Sequence, residues 1–388
     1  MVARGAADPM LKPMWRFTPL FLLALACGES AEAYVWDLPP GFPEPRVPED
    51  NPMSEAKVEL GRRLFYDTRL SGNETQSCAS CHLQSLAFTD GRVQGVGSTG
   101  EVHPRSSMSL ANVGYAATLN WANPLIRELE PQALGPLFGE TPVELGMAGR
   151  EDELVARLRG ELVYQELFPE AFPEQEDPFT VSRVLAALAA FQRTLISGRS
   201  PYDAFTNGDS DASSESAQRG AELFFGEEAE CFHCHGGFNF TASLDHSGQV
   251  FETLSFQNNG LYDLDGRGLY PTPNFGLFEF SEDRRDMGSF KPPTLRNIAV
   301  TAPYMHDGSI ATLEEVIQHY ADGGRNVTEG PHVGDGRLNP NKSIFVNGFE
   351  LTPERQADLL AFLESLTDEA FLTDPRFADP WVETDAAP

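Results

Sequence analysis

The sequence has little cysteine, little positive charge and almost no long apolar segment. Only five of its 388 residues are cysteine, and 28 lysines and arginines face 58 aspartates and glutamates, for a formal net charge of −30. This balance argues against a nucleic-acid partner, because binding phosphates requires a basic surface. So few cysteines also exclude a disulfide-rich scaffold.

One apolar run, at residues 17–26, follows three basic residues near the N-terminus. A charged segment followed by fewer than about 20 apolar residues is typical of an export signal. Residues 1–27 are therefore predicted to be this signal, and the protein is predicted to be periplasmic. The run ends at Cys27, which leaves two outcomes open: a lipid anchor on Cys27, or simple cleavage near Ala26 or Ala33.

The other four cysteines form two identical patterns, each Cys-x-x-Cys-His. The residues are Cys78, Cys81 and His82 in the first motif, and Cys231, Cys234 and His235 in the second. In such a motif the two thiols bond covalently to a haem, and the histidine ligates its iron. A zinc site of four cysteines would leave both histidines unused, and a disulfide would need further cysteines. The sequence therefore predicts two covalently bound c-type haems.

Helical patterns dominate the rest of the chain, apart from the segment 236–290, which is predicted to form long ordered loops. Helices are predicted over residues 54–65, 181–197, 312–321 and 353–366. The pattern Gly-x-x-Leu-Phe also precedes each haem motif, at Gly61 and at Gly220. This weak internal repeat predicts a mainly α fold with two cytochrome c-like domains, each carrying one haem.

The predicted domains follow from these features and from composition. After the signal at 1–27, a Pro-rich N-terminal arm is expected at 28–52, a first haem domain at 53–207 and a second at 208–388. The boundary between the haem domains falls at residues 207–214, which are small and polar and therefore suit a linker.

Both haem motifs and two further blocks resemble the bacterial di-haem cytochrome c peroxidase and MauG family. These blocks are FKPPTLRN at 290–297 and TAPYMHDG at 301–308, and the likeness covers nearly the whole chain after the signal. Finer features, such as WDLPPGFP at 36–43 and QHY at 318–320, resemble the MbnH-type branch of MauG-like enzymes. The resemblance implies a peroxide-binding haem at the first motif and a six-coordinate, electron-storing haem at the second.

The second axial ligand of the electron-storing haem distinguishes the branches of this family. The resemblance implies methionine in the peroxidases and tyrosine in MauG-like members, and Tyr320 stands at the matching place. An anionic phenolate should stabilise oxidised iron, whereas methionine raises the reduction potential. The residue pattern alone also allows Tyr320 as a core aromatic, with Met305 or Met287 as the ligand.

The resemblance implies roles for four more residues. Trp121 is expected between the haems as an electron relay, although a tryptophan is ordinarily a buried apolar group. Glu144 and Gln132 are expected over the peroxide site, where a carboxylate can move a proton between the peroxide oxygens. A surface acid and a solvated amide are the alternatives for these two. His306 is expected beside the second haem, or else as a core histidine.

The family's distal histidine and its calcium ion complete the expected site. No histidine stands at the distal spacing, and His103 is the nearest candidate, so the first haem is expected to be five-coordinate. A calcium ion commonly bridges the domains of the family. The matching positions are Ser106, Thr301 and Pro303, of which Ser106 replaces the usual asparagine.

The resemblance implies that hydrogen peroxide generates a high-valent, bis-Fe(IV)-like state that oxidises a partner protein. Members of the MbnH-type branch act on a tryptophan of a small copper-binding partner. The alternatives are a cytochrome c peroxidase, which reduces peroxide with electrons from a small redox protein, and a purely electron-transferring cytochrome. MauG has a tryptophan two residues before its second motif, where this chain has Ala229. Candidates for a different exit route are Phe224, Phe225, Tyr262 and Trp381.

Overall fold

The computed structural model describes residues 34–382, which are mainly helical with little sheet. The predicted export signal and Cys27 lie outside the described residues. Within 34–382, no helix is both long enough and apolar enough to cross a bilayer. The helices are, in chain order, α1 (Glu55–Tyr66), α2 (Leu129–Gln132), α3 (Leu134–Phe138), α4 (Glu151–Gly160), α5 (Leu162–Ala171), α6 (Val181–Arg193), α7 (Pro201–Thr206), α8 (Glu215–Phe224), α9 (Phe232–His235), α10 (Phe278–Ser281), α11 (Leu313–Ala321), α12 (Pro353–Glu364) and α13 (Glu369–Thr373).

A single small sheet accompanies these helices within the described part of the chain. It pairs β1 (Asn326–Val327) with β2 (Gly334–Asp335) in antiparallel register. The segment 236–290 contains the helical turn α10 and a 3₁₀ turn at Arg284–Asp286 and otherwise consists of long loops, as the sequence predicts.

Polar caps place the starts of the predicted helices. The side chain of Ser54 accepts a hydrogen bond from the Lys57 amide at the start of α1. Thr312 and Glu315 form a reciprocal capping box at the start of α11, which satisfies amides that would otherwise lack partners. These two helices and α12 confirm the sequence predictions to within two residues at either end.

The prediction for α6 is wrong at its C-terminus, because the helix ends at Arg193 and not at residue 197. Leu195 and Ile196 are buried, which gave the segment its helical pattern. However, the amide of Ser197 donates to the side chain of Asn112 at 2.8 Å. The backbone amide of Asn112 also donates to the carbonyl of Leu195 at 2.7 Å. Because Asn112 holds both ends of the segment 195–197, the chain leaves the helix early.

The internal repeat corresponds to the same helix crossing in two places. A methyl group added at Gly61 of α1 would lie 1.9 Å from the carbonyl oxygen of Ala187 in α6, and one at Gly220 of α8 would lie 1.9 Å from that of Asp358 in α12. Only glycine allows backbones to approach so closely. The Gly61 crossing belongs to one apolar core, which we call the first core, and the Gly220 crossing belongs to another, which we call the second core.

The C-terminal segment packs in the first core, although in the sequence it comes after the residues that form the second core. Phe371, Leu372 and Phe377 are buried there with residues of α1 and α6. The domain boundaries at 52/53 and 207/208 stay predictions.

Residues 34–52 of the Pro-rich arm lie against residues from distant parts of the chain. The ring of Phe42 packs edge-on against Tyr115 and Phe238. The hydroxyl of Tyr115 donates to the carbonyl of Pro43 at 2.7 Å. The arm is therefore part of the folded structure.

Candidate haem and peroxide sites

The first motif forms a tight turn that orients its histidine. Cys78 begins a short 3₁₀ turn directly before His82. The Nδ1 atom of His82 lies 2.7 Å from the carbonyl oxygen of Phe88, and Phe88 has a left-handed backbone with φ of 62°. A carbonyl partner on Nδ1 fixes the tautomer and leaves Nε2 as the free ligand atom.

The second motif repeats this arrangement. His235 ends the short helix α9, and its Nδ1 atom lies 3.1 Å from the carbonyl oxygen of Phe240. Burial lowers the pKa of His82 and lowers that of His235 to about 4. Both imidazoles are therefore neutral, as metal ligation requires.

The four motif cysteines are unpaired and partly buried. Burial raises the pKa of Cys78 and Cys231 to about 12 and that of Cys81 and Cys234 to about 11. Protonated thiols beside a free histidine nitrogen fit covalent haem attachment.

The second motif opens onto a mostly apolar cavity, which we call the second-motif cavity. Its walls include Cys231, Cys234, His235 and His306. The ring of His306 stacks on Phe290 with 3.7 Å between centroids, and its Nε2 atom is buried without a protein partner. An apolar chamber with one unpaired polar atom at its wall fits a porphyrin.

Tyr320 and Met305 both line the second-motif cavity. Burial raises the pKa of Tyr320 to about 12, although a hydrogen bond from Asn259 opposes this shift. The amide of Asn259 also donates to the sulfur of Met305 at 3.3 Å. Both candidate ligands therefore share one amide, whereas Met287 is not among the residues that line the cavity.

Trp121 lines the second-motif cavity and also a neighbouring, more polar one, which we call the adjacent cavity. Its indole N–H donates to the carbonyl of Ser106 at 3.0 Å. Thr89 lines the adjacent cavity too, and it directly follows Phe88, whose carbonyl is the partner of His82. The adjacent cavity therefore lies between the tryptophan and the residues that hold the first histidine.

Lys291 also holds the backbone around Trp121 in place. Its backbone amide donates to the carbonyl of Trp121 at 2.8 Å, and its ammonium donates to the carbonyl of Thr118 at 2.9 Å. Burial lowers the pKa of Lys291 to about 8. The lysine lines both cavities, so it holds the backbone of the predicted relay and of Thr118 in the wall that the cavities share.

Glu144 lies near the first motif and meets His103. Its Oε1 atom is 3.5 Å from Nε2 of His103, while Nδ1 of His103 lies 3.4 Å from the amide of Arg105. Because that amide is a donor, Nδ1 accepts and Nε2 carries the proton toward Glu144. Burial raises the pKa of Glu144, and its charge contributes, after burial, to the raised pKa of Cys78 and Cys81.

Gln132 lies at the end of α2 and is partly exposed. Within the described residues, its side chain has no hydrogen-bond partner. The backbone connects it to the Glu144 region, since the amide of Leu145 donates to the carbonyl of Pro136 at 2.9 Å. The structure therefore pairs Glu144 with His103 and not with Gln132.

The three residues expected at a calcium site share the adjacent cavity. Ser106, Thr301 and Pro303 all line it. The hydroxyl of Ser106 lies 3.1 Å from the carbonyl of Met305, and that of Thr301 lies 3.1 Å from the carbonyl of Ile298. Both hydroxyls are thus engaged within the protein, and backbone carbonyls are the oxygens left for a hard cation.

Comparisons with known proteins agree with this geometry. The profile of the di-haem cytochrome c peroxidase family matches residues 55–211. The methylamine utilization protein MauG of Methylorubrum extorquens is 35% identical over 334 residues, covering 85% of this chain and 83% of MauG. The cytochrome c551 peroxidase of Pseudomonas aeruginosa is 28% identical over 317 residues, covering 81% of this chain and 80% of that protein.

A solved structure is similar over nearly all of the described residues. The crystal structure of a MauG-like protein associated with microbial copper homeostasis superposes with a TM-score of 0.89 at 53% sequence identity. The match covers 90% of this chain and 100% of that chain.

The fold and the paired motifs define a haem c oxidoreductase of the peroxidase class, which acts on peroxide. The chain belongs to the di-haem cytochrome c peroxidase family, which includes MauG. This confirms the family resemblance predicted from the sequence, including its MauG-like character.

Sequence reasoning missed Asn259 and Lys291 as parts of the site. Lys291 lies in the FKPPTLRN block, so the block itself was the available signal. Asn259 lies in a loop with no periodicity, and only the fold brings it to Tyr320 and Met305.

Proposed function

We propose that the protein is an exported, periplasmic enzyme with two covalent haems that oxidises a partner protein at the expense of hydrogen peroxide. His82 would be the proximal ligand at the first motif, and His235 with Tyr320 would ligate the second iron. The observation that carries the proposal is the presence of Tyr320 in the second-motif cavity with His235. An anionic oxygen ligand favours oxidised iron, so this pairing suits storage of an oxidising equivalent rather than electron intake.

Proton movement at the peroxide site is assigned to Glu144, with His103 as its partner. A carboxylate can accept a proton from one peroxide oxygen and return it to the other. Nε2 of His103 lies 3.5 Å from Oε1 of Glu144, so this imidazole is the proposed link between Glu144 and the partly exposed loop. Gln132 is proposed to border the same site as a polar wall residue, since the next helix, α3, accepts a hydrogen bond from Leu145, the neighbour of Glu144, at Pro136.

Trp121 is the proposed relay between the two sites. When bound, the haems would supply storage of the two oxidising equivalents as a high-valent state. The indole lies in the wall of the second-motif cavity and borders the adjacent cavity, whose wall includes Thr89, the residue after the carbonyl partner of His82. The carbonyl of Ser106 holds the indole N–H, which orients the ring for this role.

The similarity to a MauG-like protein also suggests the kind of partner protein that this enzyme oxidises. A relative that is 53% identical is described as a MauG-like protein associated with microbial copper homeostasis. We therefore propose a small copper-binding protein as the substrate, modified at a tryptophan. The net charge of −30 favours a partner with a basic contact surface.

A calcium ion is proposed in the adjacent cavity, near Ser106, Thr301 and Pro303. Carbonyl oxygens are suitable ligands for this hard cation. The ion would lie in the same cavity wall as Trp121 and would stabilise its position.

The second candidate is a cytochrome c peroxidase that takes electrons from a small redox protein. It is favoured by one observation, the sulfur of Met305 in the same cavity as Tyr320. With methionine as the ligand, the second haem would have a high potential and would accept electrons.

Electron paramagnetic resonance (EPR) and optical spectra of the oxidised holoprotein, before and after one equivalent of peroxide, test the two functions. The proposed oxidase should show one high-spin and one low-spin ferric haem without a Met-ligation band. Both ferric EPR signals should disappear with peroxide. Two low-spin haems with a Met-ligation band, inert until one is reduced, would instead establish the peroxidase.

A further inference from the structure

Two buried tyrosines lead away from the second-motif cavity toward the surface. The ring of Tyr270 lies 6.4 Å from that of His306 and 6.2 Å from that of Phe290, measured between centroids. Both of these residues line the cavity. Tyr270 in turn lies 5.7 Å from Tyr262 in an edge-to-face arrangement. The ring of Tyr262 lies 5.5 Å from that of His332, which is partly exposed.

The two phenols differ in the group that accepts their proton. The hydroxyl of Tyr270 donates to the side-chain oxygen of Asn258 at 2.9 Å, and an amide oxygen is a very weak base. The hydroxyl of Tyr262 donates to a carboxylate oxygen of Asp307 at 2.8 Å. Burial raises the pKa of Tyr262 to about 12, so the phenol is protonated and its oxidation must release a proton. Only Tyr262 has a base in place to receive it.

We infer that Tyr262, with Asp307 as its proton acceptor, is the site from which oxidising equivalents leave the protein, and that Tyr270 connects it to the second-motif cavity. The inference rests on the proposed function, because peroxide must first supply the oxidising equivalents. It also replaces the tryptophan exit of MauG, for which this chain has Ala229.

The steps balance in electrons and protons. Tyr262 loses one electron toward the cavity through Tyr270 and gives its phenolic proton to Asp307, which leaves a neutral tyrosyl radical and a carboxylic acid. A one-electron donor at the surface beside His332, such as an aromatic side chain of the partner, returns the electron, and Asp307 returns the proton. Two such cycles deliver the two electrons that, with two protons, reduce one hydrogen peroxide to two waters.

The other candidate exit residues lack this combination of features. Trp381 packs on Tyr164, which belongs to the first core, and its N–H donates to the carbonyl of Arg63. Phe224 lines the second-motif cavity. The ring of Phe225 contacts that of Phe224, and 37% of the surface of Phe225 is exposed. A phenylalanine has no acidic proton to release, so it is much harder to oxidise than a hydrogen-bonded tyrosine.

Freeze-quench EPR of the holoprotein with stoichiometric peroxide tests the inference. We expect an organic radical after the ferric signals disappear, with a line shape that narrows when tyrosine is supplied with a deuterated ring. Tyr262→Phe should reduce the radical yield at least tenfold. Asp307→Asn, which keeps a hydrogen-bond acceptor and removes the base, should also reduce it at least tenfold.

Tyr202→Phe is the matched control. Tyr202 also packs against aromatic rings of the second core, and its hydroxyl has no hydrogen-bond partner among the described residues. This variant should keep the radical. Resting ferric spectra identical to those of the unmodified protein show that each variant is folded with its haems. The inference is overturned if the radical is absent, is insensitive to deuterated tyrosine, or survives in Tyr262→Phe. Ferric signals that do not respond to peroxide would overturn the proposed function, and this inference with it.

Discussion

At the scale of single residues, Asn259 is the group that relates the two candidate ligands of the second haem. Its amide donates to the sulfur of Met305 at 3.3 Å, and the same side chain acts to lower the pKa of Tyr320 against the effect of burial. An amide donor stabilises a phenolate more than a neutral thioether, because hydrogen bonds to charged groups are roughly twice as strong. The local hydrogen bonding therefore favours Tyr320 as the ligand.

Replacing the proposed ligand should change the spectrum and the potential together. In Tyr320→Met we expect a Met-ligation band and a reduction potential higher by on the order of 0.2 V, within the roughly 0.8 V range that axial ligands span. Met305→Leu should leave both unchanged. Optical spectra during a potentiometric titration provide both readouts. A shift in Met305→Leu, with none in Tyr320→Met, would identify the methionine as the ligand.

The proton-transfer role of Glu144 predicts a defined pH profile. Glu144→Gln should slow the reaction with peroxide by about 10²-fold, the lower end of typical general acid–base contributions. Burial raises the pKa of Glu144, and the base must be ionised. The rate should therefore fall as the pH drops through a value above the usual carboxyl range. Stopped-flow rate constants measured against pH test this.

The control for this experiment is Glu140→Gln, which changes an exposed carboxylate nearby. It should keep both the rate and the acid limb of the profile. If the acid limb persists in Glu144→Gln, another group provides the base.

At the scale of elements, the two glycine crossings carry the packing of the two cores. Gly61→Ala or Gly220→Ala would force a methyl group against a backbone carbonyl. Overpacking of this kind costs about 1–3 kcal/mol. Gly160→Ala, at the exposed end of α4, meets nothing within 4 Å and should be neutral or stabilising by up to about 1 kcal/mol. Chemical unfolding of the holoproteins measures the differences, and equal effects in all three variants would contradict the crossing.

The sequence predicted those elements whose ends are set by neighbouring residues. Ser54 and Thr312 cap helices locally, so their starts are visible in the sequence. The end of α6 was not predictable, because it depends on Asn112, which is far away in the chain.

The candidate site also combines features that neighbouring residues determine with features that depend on distant residues. The haem motifs are contiguous, so their residues could be read directly, and the family resemblance predicted positions for Trp121 and Tyr320. The pairs His103 with Glu144 and Tyr262 with Asp307 join loops that show no periodicity. Only the folded chain brings those side chains within contact distance.

At the scale of the whole molecule, a buried ion pair joins distant parts of the chain. The guanidinium of Arg296 makes two hydrogen bonds to Asp203, at 2.7 and 2.9 Å, and both residues are buried. The same guanidinium lies over the ring of Phe42 in the N-terminal arm. One side chain thus connects the arm, α7 and the FKPPTLRN block.

Removing this cation should be costly. Arg296→Leu leaves the Asp203 carboxylate buried without its partner, which typically costs about 3–5 kcal/mol. Arg285→Ala removes an exposed ion pair with Asp283 and should cost less than about 1 kcal/mol. Denaturant unfolding of both variants measures the contrast, and similar losses would show that burial does not matter here.

The same pair predicts an acid-sensitive stability. Burial alone would raise the pKa of Asp203, but Arg296 outweighs it and holds the pKa below its ordinary value. The contribution is therefore complete above the unfolded-state pKa of about 3.9 and is lost as the pH falls through the lower folded-state value. Unfolding midpoints measured below about pH 4 should converge for the unmodified protein and Arg296→Leu.

The shared wall at Trp121 also has a consequence for how the catalyst ages. Among the described tryptophans, Trp121 alone borders both cavities, so under the proposed function the oxidising equivalents exchanged between the two sites would pass this easily oxidised ring. When no partner is present to be oxidised, that ring is the component most exposed to self-inflicted damage. We expect oxygen incorporation at Trp121 to accumulate with each turnover that takes place without the partner. Inactivation of the enzyme should therefore depend on the number of peroxide molecules consumed and not on elapsed time.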